Sequence, residues 1–172
     1  MAGLLSVAAM SANAMVIDFA EMANTTPGEM GFQPLHIVID GALAVDIYGH
    51  NAAGETHAYL DANTGGLGVC TTLGTINNVA NQCDPGNDDN VTTGEYLKFV
   101  FTGDVAINSI SFNNNHDGGF VGGTSDISIG GTTFITPDSG NVTATAMDPF
   151  AGVRRSEFTI AFYHTMFYVQ LM

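Results

Sequence analysis

The sequence predicts an all-β fold, a two-sheet antiparallel β-sandwich of jelly-roll-like kind, and three observations predict it. Charged residues make up only 12% of the chain, about half the usual share, while Gly reaches 21 residues and Trp is absent. Apolar residues come in short runs rich in Val, Ile, Thr, Tyr and Phe, the residue types that suit a pleated surface. Gly, Asn, Asp and Pro separate these runs at close spacing, with no convincing amphipathic helix, heptad or internal repeat. The 172 residues suffice for one domain with a real hydrophobic core.

The chain opens on residues 1–17, MAGLLSVAAMSANAMVI, a run without charge and shorter than the roughly 20 residues that cross a bilayer. Ala12-Asn13-Ala14 has the small-x-small form of a signal-peptidase site, so residues 1–14 read as the remnant of a signal peptide. An apolar segment that docks on another subunit is the competing reading. Residues 15–172 then form a single sandwich domain.

Val16 to Phe19 suits a first strand. Leu35 to Asp40 and Leu43 to Tyr48 are β-branched runs split by Gly41-Ala42, the pattern of a hairpin. Gly49 to Gly54 reads as a turn and Thr56 to Leu60 as the returning strand. Leu67-Gly68-Val69 opens another strand and Tyr96 to Phe101 a further one. Val105 to Phe112 alternates as one strand, and Asn113 to Gly119 is a polar turn. Ser125 to Ile129, Thr132 to Ile135 and Val142 to Ala146 give three short strands. The C-terminus, Glu157 to Phe162 and Met166 to Leu171, changes apolar parity, which places a bulge or bend near His164. The total is about nine to eleven strands.

Charge excludes one large class of function. The net charge of -14 leaves only Lys98, Arg154 and Arg155 as basic residues, so the footprint that nucleic acid requires is absent. An acidic surface attracts cations, divalent ones most strongly, and also keeps an exported protein in solution.

The chain is organised around Ala58 to Phe101, which holds both cysteines and the densest cluster of carboxylates and amides. The connection between Val69 and Tyr96 is too long and too polar for an ordinary loop. Cys70 and Cys83 enclose twelve residues, and in an exported chain such a pair is most simply a disulfide, worth on the order of 3 kcal/mol. Zinc wants further Cys or His at short spacing, and a catalytic thiol wants a paired His in an electropositive setting. Asp61, Asp88, Asp89 and Glu95 are the candidate metal ligands, with calcium the candidate cofactor, because hard cations take carboxylate and amide oxygens from flexible loops. The alternating ligands of an EF-hand are missing, and a solvated acidic loop with Asx turns accounts for the same residues.

Catalytic patterns are weak. No nucleophile elbow, HExxH or phosphate-binding glycine loop is present. His116-Asp117 reads first as a turn. His36, Asp46 and His57 read as solvent-facing strand residues. Asn24, Asn90 and Asn141 each begin an N-x-Thr sequon.

AYLDANTGGLGVC, NQCDPGNDDNVTTGEYLKFVF and INSISFNNNHDG, together with a terminal FYV strand, resemble bacterial PEP-CTERM sorting-domain proteins. The resemblance spans roughly residues 55–120, and its GLGVC and C-x-P-x-x-D-D-N-V-x-x-G-E elements are fairly specific together. It implies an exported surface β-sandwich linked to biofilm or exopolysaccharide, and no defined enzyme. Members usually end in a sorting tail read by an exosortase; this chain ends at Met172, where that tail is expected, so the expectation is either a truncated or processed form or a relative released without the tail.

The function expected is therefore a secreted, non-catalytic matrix or surface protein. Its partners are extracellular polysaccharide or like subunits, the latter joined by strand addition into filaments. No transmembrane span and no nucleic-acid partner are expected. A calcium-dependent carbohydrate-binding module is the alternative, marked by an exposed aromatic row near Tyr48, Tyr59 and Phe120. A hydrolase is the third, with His116 and Asp117 its best acid-base pair.

Overall fold

The computed structural model describes residues 15–63, 65–113, 126–135, 144–162 and 168–171. The residues expected as a signal remnant, the His116-Asp117 pair, Phe120, Asn141 and the bend at His164 lie outside the described residues.

Backbone alternation sets most of the architecture. The strands are β1 (Met30–Phe32), β2 (Leu35–Asp40), β3 (Leu43–Asn51), β4 (Gly54–Asp61), β5 (Gly66–Cys70), β6 (Leu73–Ile76) and β7 (Val79–Cys83). They continue as β8 (Tyr96–Val105), β9 (Ser109–Asn113), β10 (Asp126–Ile129), β11 (Thr132–Ile135), β12 (Ala144–Met147), β13 (Arg155–Phe162) and β14 (Tyr168–Leu171). All described pairings are antiparallel. A nine-stranded sheet runs β1-β4-β3-β8-β13-β10-β11, with β2 added to β3 and β5 to β4. A three-stranded sheet has the order β12-β9-β14, and β6-β7 stand apart as a two-stranded ribbon. The fold is all-β and sandwich-like, as the sequence predicts.

Parity explains where the core sits. Val45 and Ile47 of β3, Leu97, Phe99 and Phe101 of β8, and Phe158 and Ile160 of β13 lie on one face and are buried. Phe99 and Phe158 stack with centroids 4.6 Å apart. Ile110 and Phe112 of β9 join the same apolar cluster, as do Ile127 and Ile129 of β10. Crossing from one sheet to the other breaks the strand that Val105 to Phe112 predicts. β8 ends at Val105, β9 begins at Ser109, and the chain changes sheets between them. The apolar parity switches between Ile107 and Ile110, which marks the break that reading the segment as one alternating strand passes over.

Three further expectations are corrected. The segment read as a first strand enters a short helix, α1 (Phe19–Asn24), where the Asp18 carboxylate caps the amide of Glu21 at 3.0 Å. Phe19 and Ala23, four apart, seat it in the core. Six residues are too few for helical periodicity to stand out. The turn expected at Gly49 begins later. β3 continues to Asn51 and its two-residue connection is Ala52-Ala53, the Ala53 amide donating to Asn51 Oδ1 at 2.9 Å. Gly49 serves close approach, since a Cβ there would strike the His57 carbonyl of β4. Finally, the polar loop between the cysteines holds the β6-β7 hairpin. Its turn residues Asn77 and Asn78 have φ of 52 and 67, the left-handed pair that a tight hairpin turn demands.

Candidate functional site

The end of β4 and the whole of β5 are buried on both faces, and that double burial builds the site. Ala58, Leu60, Leu67 and Val69 face the main core. Tyr59, Cys70 and Cys83 form a second apolar cluster on the opposite face, with Leu73 packed against it. The β6-β7 ribbon covers this second cluster. Leu73 of the ribbon packs directly over Gly31 of β1, where a Cβ would force the leucine side chain to shift.

Cys70 and Cys83 form the expected disulfide, with Cα atoms 5.8 Å apart and both residues essentially buried. Tyr59, only 2% exposed, donates from its hydroxyl to Glu29 Oε1 at 3.0 Å. Gln82 of β7 donates to the Glu29 carbonyl at 2.7 Å. Burial, reinforced by the neighbouring Glu29 and Asp61 carboxylates and opposed by the Cys83 amide, pushes the Tyr59 phenol far above its ordinary range.

The acidic residues are distributed around this brace. Asp88 Oδ2 accepts from the Thr71 amide at 3.0 Å, and the Asp88 carbonyl oxygen lies 3.0 Å from Cys83 Sγ. Asp89 is 5% exposed; its carbonyl faces Gly68, where a Cβ would not fit, and its Oδ1 accepts from Asn90 Nδ2 at 3.0 Å. Val91 is fully buried and anchors the loop in the main core. Glu95 Oε2 accepts from both the amide and the hydroxyl of Thr92, each at 2.8 Å. Burial raises the Glu95 pKa, the two Thr92 bonds oppose that rise, and the Asp88 charge adds to it. Asp61, buried at the end of β4, lies against Gly65.

Among the described residues the one group of three potential ligands within 4.8 Å is Cys70, Cys83 and Asp88. Its two sulfurs are bonded to each other and have no thiolate to offer a metal. No three of Asp61, Asp88, Asp89 and Glu95 meet that closely. An ion in this loop would therefore take at most a pair of those carboxylates at one point and draw its other oxygens from carbonyls and amides.

A second region lies on the outer face of the large sheet. Asp46, Tyr48 and His50 of β3 stand opposite Val100, Lys98 and Tyr96 of β8. The His50 and Tyr96 rings stack at 4.5 Å and 3°. His50 Nε2 is buried and finds no hydrogen-bond partner among the described residues. Lys98 pairs with Glu157 at 3.2 Å, and His36 with its cross-strand neighbour Asp46 at 2.6 Å. Of the aromatic row that would mark a carbohydrate-binding module, Phe120 lies outside the described residues and the two tyrosines separate. Tyr48 is on this face, whereas Tyr59 is buried under the disulfide.

Sequence reasoning missed Glu29 as the partner of Tyr59, and His50 as the partner of Tyr96. The first pair is 30 residues apart with no motif to connect them. The second follows from β3-β8 register, which strand patterns do not fix across a crossover. The sequons also separate. Asn90 is 1% exposed and closed to a glycan in the fold. Asn24 donates to the Ala20 carbonyl at 2.8 Å and accepts from the Asn63 amide at 3.0 Å.

Together the fold and site define a disulfide-braced, antiparallel all-β protein. No helix of the described residues is long and apolar enough to cross a membrane. No family model, curated protein or solved structure matches the chain.

Proposed function

We propose that this chain is an exported, non-catalytic structural protein of a bacterial surface or extracellular matrix. The buried Cys70–Cys83 bridge carries the reading. A bridge on which a whole ribbon rests belongs to a protein that matures in an oxidising compartment. The resemblance to PEP-CTERM sorting-domain proteins and the acidity of the chain support the same setting. The Thr92 and Thr71 bonds of Glu95 and Asp88 support a bracing role for carboxylates that a hydrolase would direct into a cleft. Calcium enters as a test of this reading and not as its support.

Trapping thiols in intact producing cells, then fractionating them, tests the proposal. The expected result is a bridged form in the surface or medium fraction that gains two alkylation sites only after reduction and unfolding. A cytoplasmic form with two free thiols would overturn it.

Carbohydrate binding is the second reading, favoured by Tyr48, His50 and Tyr96 on one sheet face beside Lys98 and Glu157. Retardation in polysaccharide gels that is lost in Tyr48→Ala and Tyr96→Ala supports it. Equal mobility of wild type and variants removes it.

A further inference from the structure

We infer that the β6-β7 ribbon is the surface through which two copies of this chain associate, by pairing of the outer edge of β6 with the same edge of a second copy. Charge is the first observation. No Asp, Glu, Lys or Arg occurs between Asp61 and Asp84, although the chain carries 17 acidic residues and a net charge of -14. Two such bodies repel each other wherever acidic surfaces meet, and a neutral projection is where that repulsion is least. The ribbon is such a projection.

Topology is the second observation. Among the described residues β6 and β7 pair only with each other. β7 is held down by Gln82 on the Glu29 carbonyl, and Leu73 at the start of β6 rests on the Tyr59 cluster. The rest of β6 therefore offers unpaired backbone groups on its outer edge. Leu73-Gly74-Thr75-Ile76 carries no Lys, Pro or inward charge of the kind that protects natural edge strands; it is short, at four residues, and its register with β7 shifts between Gly74 and Thr75. Acids lie at the ribbon's base: Asp84 is beside Gly74, Glu29 accepts from Gln82 through its carbonyl, and Asp88 accepts from the Thr71 amide. At the tip, Ile76 and Val79 face each other across the hairpin and are 36% and 51% exposed.

The occupant follows from these features. Antiparallel pairing of one edge with its own copy is self-complementary and closes as a two-fold dimer. The disulfide fixes the ribbon beforehand, so little ordering cost opposes association. This pairing concerns how copies meet; it does not rest on the matrix reading, which the cell-fractionation result decides separately.

Sedimentation of the oxidised protein over a range of concentrations and salt tests the inference. The variants are Ile76→Lys and Thr75→Lys on the ribbon, and Val38→Lys on the edge strand β2, where Val38 is 63% exposed. Wild type and Val38→Lys are expected to form dimers more readily as salt screens the acidic bodies over about 8–10 Å. Both ribbon variants are expected to weaken the dimer by roughly tenfold or more, because each brings a like charge into a symmetric contact. Thermal melts at low concentration verify that the variants are folded. In hydrogen exchange, the Leu73–Ile76 amides are expected to slow on association while those of β2 do not change. A wild type that stays monomeric throughout, or ribbon variants that dimerise as wild type does, would overturn the inference. Loss of the dimer in Val38→Lys alone would also overturn it.

Discussion

Tyr59 donates its hydroxyl hydrogen bond to Glu29 at 3.0 Å from beneath the Cys70–Cys83 bridge, and the Glu29 carbonyl in turn accepts from Gln82 of β7, so that Glu29 links the large sheet to the ribbon above it. Tyr59→Phe keeps the ring packing and removes only the hydroxyl. The expected loss is about 1–2 kcal/mol, the scale for removing one partner of a partly buried carboxylate. An alkaline spectrophotometric titration gives a second signature. Tyr59 should ionise only as the protein unfolds, and that late step should vanish in the variant. A Tyr59→Phe protein with unchanged stability and an unchanged late step would show that the contact is absent in solution.

The bridge closes a segment with a sequence separation of 13, and its main effect is to restrict the unfolded chain. Replacing both cysteines by Ser should cost on the order of 3 kcal/mol. For a chain of this size that corresponds to a fall of roughly 6–12 °C in Tm. Because both cysteines are buried, a mild reductant should act slowly on the native protein and quickly once denaturant is present. Exchange of the β6-β7 amides should rise most, since the packing of Leu73 and the Gln82–Glu29 hydrogen bond then hold the ribbon without the bridge. Uniform destabilisation with no preference for the ribbon would argue that the bridge acts only on the unfolded state.

Much of this was legible in the sequence, and the failures have physical causes. Strand alternation located most sheet elements, because burial on one face leaves a period of two in the residues. The Cys70–Cys83 pair was legible from its even number and spacing. The function of Gly49 was not, because a glycine required by a neighbouring strand looks the same as one required by a turn. Asp18 likewise gives no sign of whether it caps a helix or ends a strand until Phe19 and Ala23 find their core. Asp61, Asp88, Asp89 and Glu95 look like one ligand set in a linear chain. In space Asp88 and Glu95 turn to the amides of Thr71 and Thr92, and Asp89 bonds to Asn90.

Glu95 predicts a pH dependence of definite sign. Burial penalises its charged form and sets its folded pKa above the ordinary 4.5. A raised carboxylate pKa means that protonation favours the fold. The contribution is fully present below the ordinary value and is lost as pH rises through the elevated one. Glu95→Gln retains an acceptor for Thr92 without the charge. At neutral pH its Tm should equal or exceed that of wild type, and the difference should shrink on acidification toward pH 4.5. Comparing the two proteins cancels the general relief of acidic repulsion that both experience. Glu95→Ala removes the acceptor as well and should cost about 1–3 kcal/mol. A Glu95→Gln protein whose deficit grows with pH would reverse the sign and place a favourable charge partner at Glu95.

Calcium separates a specific ion site from a diffuse acidic field. Any ligand that binds only the folded state raises Tm with concentration. The four carboxylates do not converge in threes, and Asp88 and Glu95 each already accept from a backbone amide. The expected response is therefore a gradual rise, similar in wild type, Asp88→Asn and Glu95→Gln, and reproduced by magnesium at comparable concentration. Screening of the -14 charge accounts for such a rise without any coordinated ion. The outcome against it is a saturable rise at low calcium that magnesium does not reproduce and that both variants lose. That result would establish a coordinated ion between Asp88 and Glu95, with carbonyl and amide oxygens completing its shell. It would also make the loop beside the bridge a calcium-dependent brace, and EGTA melts would then have to be compared with the two-Ser variant to apportion stability between ion and disulfide.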